Sequence, residues 1–311
     1  MKRRRFFHYA GLGSVGLVVA ANERSLAAVA GTADSQALSL GVPLDSFEFT
    51  ATTVDRTGRV KRQQSLSAQF FPEPLPATSK THSSVDGSHR LLEMVALSAG
   101  RSSFHSVKVS PFFMSKHPIT QLQWSAVASL PKAKRDLSPT PAHFRGSNLP
   151  IESVSWVDAV EFCDRLTQHT GRQYQLPTEA QWEYACRAGT HTPFHTGETI
   201  TSELADYVST YTYKSETAGR YRQSTLPVGQ FSPNAFGLQD MHGNVWEWCA
   251  DSWHGNNRRT QGQSIASQPT QMRAIRGGSW LDAPHKLRST SRSGYAETGL
   301  NRTIGFRVVA A

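Results

Sequence analysis

Seven tryptophans, at positions 124, 156, 182, 246, 248, 253 and 280, are spread over short segments separated by Gly-, Pro- and Asn-rich stretches. No such segment is long enough to build a core by itself. An indole buries a large apolar area, and its N–H can hold a backbone carbonyl. The pattern therefore predicts a loop-heavy α+β domain pinned by large side chains. Two helices are expected. Ser155 to Gly171 opens with a capping-box-like S-x-x-D, places Trp156, Val160, Cys163 and Leu166 on one face, and stops at a glycine. Thr178 to Gly189 has Thr178 as N-cap, Gln181 three residues on, and Trp182, Ala185 and Cys186 facing one way. Phe47 and Phe49 alternate ahead of Asp55-Arg56-Thr57-Gly58, a turn signal, so residues 47–71 read as a hairpin.

Composition narrows the function. The net charge is +9, but the first 30 residues hold five Lys/Arg and one Glu, leaving 28 basic against 23 acidic residues. Scattered charge of that size gives no case for a nucleic-acid partner. Residues 1–30 read as an export signal, with a basic start, an apolar run too short to span a bilayer comfortably, and Ala28-Val29-Ala30 ahead of Gly31. Arg3-Arg4-Arg5-Phe6-Phe7 fits a twin-arginine signal. The expected location is the periplasm or cell surface, either with no membrane span once the signal is removed or with the signal kept as an anchor. Residues 31–90 read as an extension holding the hairpin and a Pro/Ser-rich linker from residue 72, and residues 91–311 as the main domain. Cys163, Cys186 and Cys249 are the only cysteines. Two lie on apolar helix faces and read as small buried hydrophobes.

One stretch fits neither core strand nor ordinary loop: Gly237 to Asp251, GLQDMHGNVWEWCAD. It takes its meaning from its neighbours. SPFFMSKHPITQLQW, NLPIESVSWVDAVEFC, LPTEAQWEYACRAGT, LPVGQFSPNAFGLQDMHGNVWEWCAD, RGGSW, RSTSRSGY and IGFRVV follow in order from residue 110 to residue 309. This series resembles the sulfatase-modifying-factor family, typified by the formylglycine-generating enzyme. The resemblance implies a loop-rich mixed fold related to C-type lectins. It also implies a chemistry, the oxidation of a substrate cysteine with oxygen at a copper ion held by two cysteines after the GGS motif.

Here the chain departs from the pattern. No cysteine follows Gly277-Gly278-Ser279. Asp282 falls at the first cysteine position, and Pro284–His285 near the second. Cu(I) prefers thiolates, which Asp and His do not replace. The family disulfide partners of Cys163 and Cys186 would fall near Val308 and Ser289. The segment from Met94 to Met114 also passes almost directly from one strand to the next, where the family has a longer polar loop. Asp282 and His285 are left as candidates for a new acid–base pair. His191 and His195 flank a proline after a helix end and read as loop residues.

The resemblance gives the GLQDMHGNVWEW stretch a role as a calcium site. Its ligands would be the side chains of Asp240 and Glu247 and the carbonyls of Gly243 and Val245. Calcium accepts such mixed oxygen shells. A second family site would use Asp206, the Tyr207 carbonyl and an acid where Arg220 stands. A cation there repels calcium and is placed to pair with Asp206. Two functions follow. The first is a non-catalytic, calcium-stabilised domain (a pseudoenzyme) binding an exported protein, a peptide or a glycan. The alternative is a divergent metal-dependent oxidoreductase or maturation factor.

Overall fold

The computed structural model describes residues 42–76, 91–103, 106–255 and 271–311. The expected export signal and most of the expected linker lie outside these residues. The hairpin forms from β1 (Asp45–Val54) and β2 (Val60–Pro74). Its turn is held by the Asp55 carboxylate, whose Oδ1 accepts from the Thr57 amide at 2.8 Å and the Thr57 hydroxyl at 2.7 Å. Gly58 takes the left-handed conformation that the turn requires, with φ 78°.

The hairpin, in the expected extension before residue 91, joins the sheet of the residues that follow it. Strand β2 pairs antiparallel with β3 (Leu91–Leu97), Phe70 opposite Val95. The sheet continues through β6 (Phe112–Ser115), then β12 (Val309–Ala310) and β7 (Tyr174–Gln175). The strand also runs past the expected start of the linker. Pro72 and Pro74 lie beyond Phe70, where pairing with β1 has ended and prolines are tolerated. Between β3 and β6 lies a small ladder of β4 (Gly100–Arg101) and β5 (Lys108–Val109).

The middle of this sheet is covered on both faces, so its strands read as continuous apolar runs rather than alternation. Phe113 and Ala310 join one core cluster, while Phe112, Met114 and Val309 join the other. The first cluster holds α1 (Gln121–Ala128) and α2 (Trp156–Thr170), with Trp124 stacked on Phe162 at 5.7 Å and Phe306 edge-on to both. The second holds α3 (Glu179–Arg187) through Trp182, Ala185 and Cys186. A smaller sheet, β10 (Arg292–Ala296), β9 (Met272–Arg276), β8 (Trp246–Ser252) and β11 (Ile304–Gly305), carries the tryptophan-rich stretch on β8.

Both expected helices form with the expected capping boxes, Ser155 with Asp158 and Thr178 with Gln181. Gly171 closes α2 in the left-handed region, but α3 already turns at Ala188, φ 44°. Their faces are wetter in sequence than in space. On α2, Cys163 and Leu166 are buried, but so are Glu161 and Arg165, whereas Trp156 and Val160 are only half-buried. Glu161 accepts from the Ala133, Lys134 and Arg135 amides, and Arg165 donates to the carbonyls of Ala128, Leu130 and Arg135. This ion pair, 2.7 Å long, clamps the loop after α1.

Candidate functional site

Strand β9 ends at Arg276, and the chain turns through Gly277 and Gly278, both at positive φ. A Cβ on Gly278 would stand 2.7 Å from Leu287 Cδ1, so only glycine passes here. The turn is closed by Asp282. Its Oδ2 accepts from the Ser279 amide at 3.1 Å, the Ser279 hydroxyl at 2.5 Å and the Trp246 indole at 2.8 Å. The carboxylate is thus a cap that ties the turn to β8. His285 is exposed in a short turn, and no hydrogen bond joins it to Asp282. The expected acid–base pair is not assembled, because Asp282 faces the turn while His285 faces solvent. A shallow groove of about 450 Å³ lies beside them, lined by Tyr211, Thr212, Tyr213, Ala283, Pro284 and His285.

The Asp240 loop is built by three left-handed residues, Asp240, Gly243 and Asn244. Asn244 holds the Leu226 backbone through both its amide groups, at 3.1 Å each. A Cβ on Gly243 would fall 2.2 Å from the Asp206 carbonyl, so the 206 and 243 segments run in direct backbone contact. Asp240 Oδ2 accepts from the Gly229 amide at 2.8 Å, but Oδ1 is buried with no partner. Desolvation pushes the Asp240 carboxyl up to about 6. An orphaned, buried carboxylate oxygen fits an oxygen-seeking cation. Val245 packs its side chain into the core. Glu247 differs, since its Oε2 accepts from the Trp182 indole at 2.6 Å and from Arg307 at 2.7 Å, and its Oε1 from Arg307 at 2.8 Å. Its charge is balanced by a guanidinium that is itself fully buried. A cation at this loop would take Asp240 as its uncompensated anionic ligand, with Glu247 contributing only what Arg307 leaves free.

The Asp206 position does not fit a divalent ion. Both carboxylate oxygens are buried without a hydrogen-bond partner, and Arg222 Nη1 stands 3.8 Å from Oδ1. Arg220, expected as the partner, is exposed and makes no ion pair, so the pairing falls to the residue two places on. The Tyr207 carbonyl accepts from the Ser209 amide at 2.8 Å. Among the described residues no group of three or more His, Cys, Asp or Glu side chains is placed to hold a metal ion.

All three cysteines are free and buried. Cys186 Sγ lies 3.6 Å from the Ser289 hydroxyl, and burial pushes its thiol up to about 12. Cys163 and Val308 share one core cluster. His242 accepts the His195 amide at Nε2, 3.0 Å away, and lies 2.6 Å from the Leu287 carbonyl at Nδ1, which fixes a neutral ring protonated at Nδ1. Burial holds it down to about 4. His195 is buried and stacks on His242 at 4.8 Å, whereas His191 is exposed. The sequence reading missed Arg222, Arg307 and Trp182 as partners of the site carboxylates. Of these, Trp182 and Arg307 lie in the Q-W-E-Y and G-F-R blocks, while Arg222 lies in no such block.

A model of the sulfatase-modifying factor enzyme 1-like domain matches residues 73–311. The chain is 27% identical over 263 residues to the chaperone protein LppX of Paenibacillus barcinonensis, covering 70% of this chain and 88% of that protein. It is 34% identical to the formylglycine-generating enzyme of Mycobacterium tuberculosis, over 52% of this chain and 57% of the enzyme. It is 32% identical to the inactive C-alpha-formylglycine-generating enzyme 2 of Mus musculus, over 52% of this chain and 49% of that protein. The chain thus spans about half the length of these last two relatives. Among solved structures, PvdO from Pseudomonas aeruginosa superposes with a TM-score of 0.54 at 28% identity, covering 71% of this chain and 94% of PvdO.

Proposed function

From the premise that the chain belongs to the sulfatase-modifying factor enzyme 1-like family, we propose that it is a non-catalytic member, an exported domain stabilised by calcium at Asp240 that binds an exported polypeptide. One observation carries this reading. Where the family resemblance places the first copper thiolate stands Asp282, whose Oδ2 is spent on three hydrogen bonds within its own turn. A carboxylate oxygen is a hard ligand, and Cu(I) requires soft ones. The three thiols that remain are buried, with burial raising each of them away from the thiolate form. The polypeptide partner is supported by the similarity to a chaperone protein over most of that protein's length. The vacated groove beside Asp282, floored by Tyr213 and Pro284, is where such a segment would lie. Export is supported by the basic and apolar first 30 residues.

The test is the metal content and oxidase activity of the full chain after native export. Calcium alone, lost in an Asp240→Ala variant that keeps its fold, together with no aldehyde formed on a cysteine-containing peptide given copper and oxygen, is the expected result. Stoichiometric copper or iron, or turnover of that peptide, would establish the divergent oxidoreductase instead.

A further inference from the structure

Asp206 is 1% exposed, and neither of its carboxylate oxygens has a hydrogen-bond partner. An ionised carboxylate in that state is costly unless a cation is near. Among the described residues, the only cation in ion-pair range is Arg222, with Nη1 at 3.8 Å. The guanidinium is held there from its other side. Arg222 Nη2 donates to the Ser202 carbonyl at 2.8 Å, and the group lies 5.7 Å from the centre of the Phe231 ring. Its Nη1 is buried and has no hydrogen-bond partner either. The charge is thus fixed in place without being consumed by a close bond.

We propose that Arg222 is the resident counter-cation of the Asp206 position, standing in for the second calcium that the family resemblance places there. The chain then has one cation-dependent loop rather than two. A divalent ion at Asp206 would sit beside a fixed positive charge, and the Tyr207 carbonyl that should complete its shell is already engaged by Ser209. The substitution matters beyond its own loop. The Asp206 carbonyl accepts the Asn244 amide at 2.9 Å, and the backbone of Asp206 bridges to Gly243. Arg222 therefore steadies the strand of backbone on which the Asp240 loop rests, with no ion required.

The test uses the full chain with Asp240→Asn as background, which removes the Asp240 response. Thermal midpoints and calorimetric titrations with calcium are compared for Arg222, Arg222→Lys and Arg222→Gln. With Arg222 or Arg222→Lys, millimolar calcium is expected to leave the midpoint unchanged. With Arg222→Gln the midpoint falls by several degrees and calcium restores most of the loss. Arg222→Gln combined with Asp206→Asn recovers stability without calcium, which separates loss of charge balance from general misfolding. Two outcomes overturn the proposal: a calcium response in the Asp240→Asn protein that Asp206→Asn abolishes, or an Arg222→Gln protein that neither calcium nor Asp206→Asn improves.

Discussion

Glu247, on β8, and Asp206, on the segment that bridges to Gly243, are both 1% exposed, yet they are treated in opposite ways. Glu247 receives one hydrogen bond from Trp182 and two from Arg307. Arg307 in turn donates to the carbonyls of Ser115, Lys116 and Gln239. The pair ties β8, the end of β6 and the Asp240 loop to the chain terminus. Asp206 has a guanidinium nearby and no hydrogen bond at all. A satisfied buried pair serves as framework. An unsatisfied one leaves the cost of burial only partly offset.

The largest effect should come from breaking the satisfied pair. Arg307→Met is expected to cost about 3–5 kcal/mol in chemical denaturation, because it leaves Glu247 buried and uncompensated. A cost below about 1 kcal/mol would mean that the Glu247 network is not framework and that the contrast fails. The second prediction concerns pH. Burial, reinforced by Asp240 and opposed by Arg222, raises the Asp206 carboxyl to about 7 from its ordinary 3.8. Between those values the folded chain binds a proton that the unfolded chain releases, so stability is lost as pH rises through this window. Asp206→Asn should flatten that slope when chemical denaturation is followed across the same pH window. An unchanged pH profile would show that Asp206 is already as well served as Glu247.

Gly243→Ala tests the backbone contact between the two regions. It combines a φ of 83° with a Cβ 2.2 Å from the Asp206 carbonyl, and about 2–3 kcal/mol of lost stability is expected. Retention of full stability would mean that the two loops part freely. The smallest effect belongs to Asp282→Ala, which removes three hydrogen bonds from a half-buried cap. About 1–2 kcal/mol is expected, with no change in bound metal. A loss of metal in this variant would put Asp282 among the ligands and return the groove to chemistry.

What was legible in the sequence was local. The caps of α2 and α3 are written within four residues of each helix start, and the Asp55 turn within five. The family blocks placed Ser289 beside Cys186, as found. Helix α1 was not legible, because Leu122, Gln123, Trp124, Ala126 and Val127 are buried around most of its circumference and leave no stripe. The partner of the α3 charges is not encoded locally either. Glu179 and Glu183 meet the fully buried Arg276, 97 and 93 residues further along. The choice of Arg222 over Arg220 depends on which way side chains leave an irregular loop, and no periodicity encodes that.

The three reduced cysteines have a consequence for the order of events in the life of the chain. At the position where the family resemblance puts a bridging sulfur, Cys186 meets the hydroxyl of Ser289, and Cys163 is simply packed among hydrophobic neighbours such as Val308. The described fold closes without a covalent crosslink. It needs no disulfide-forming oxidant and no disulfide isomerase, so its assembly can be finished in their absence. That suits the proposal of export, since a chain with a thiol-only core can be carried across already folded, as a twin-arginine signal would require.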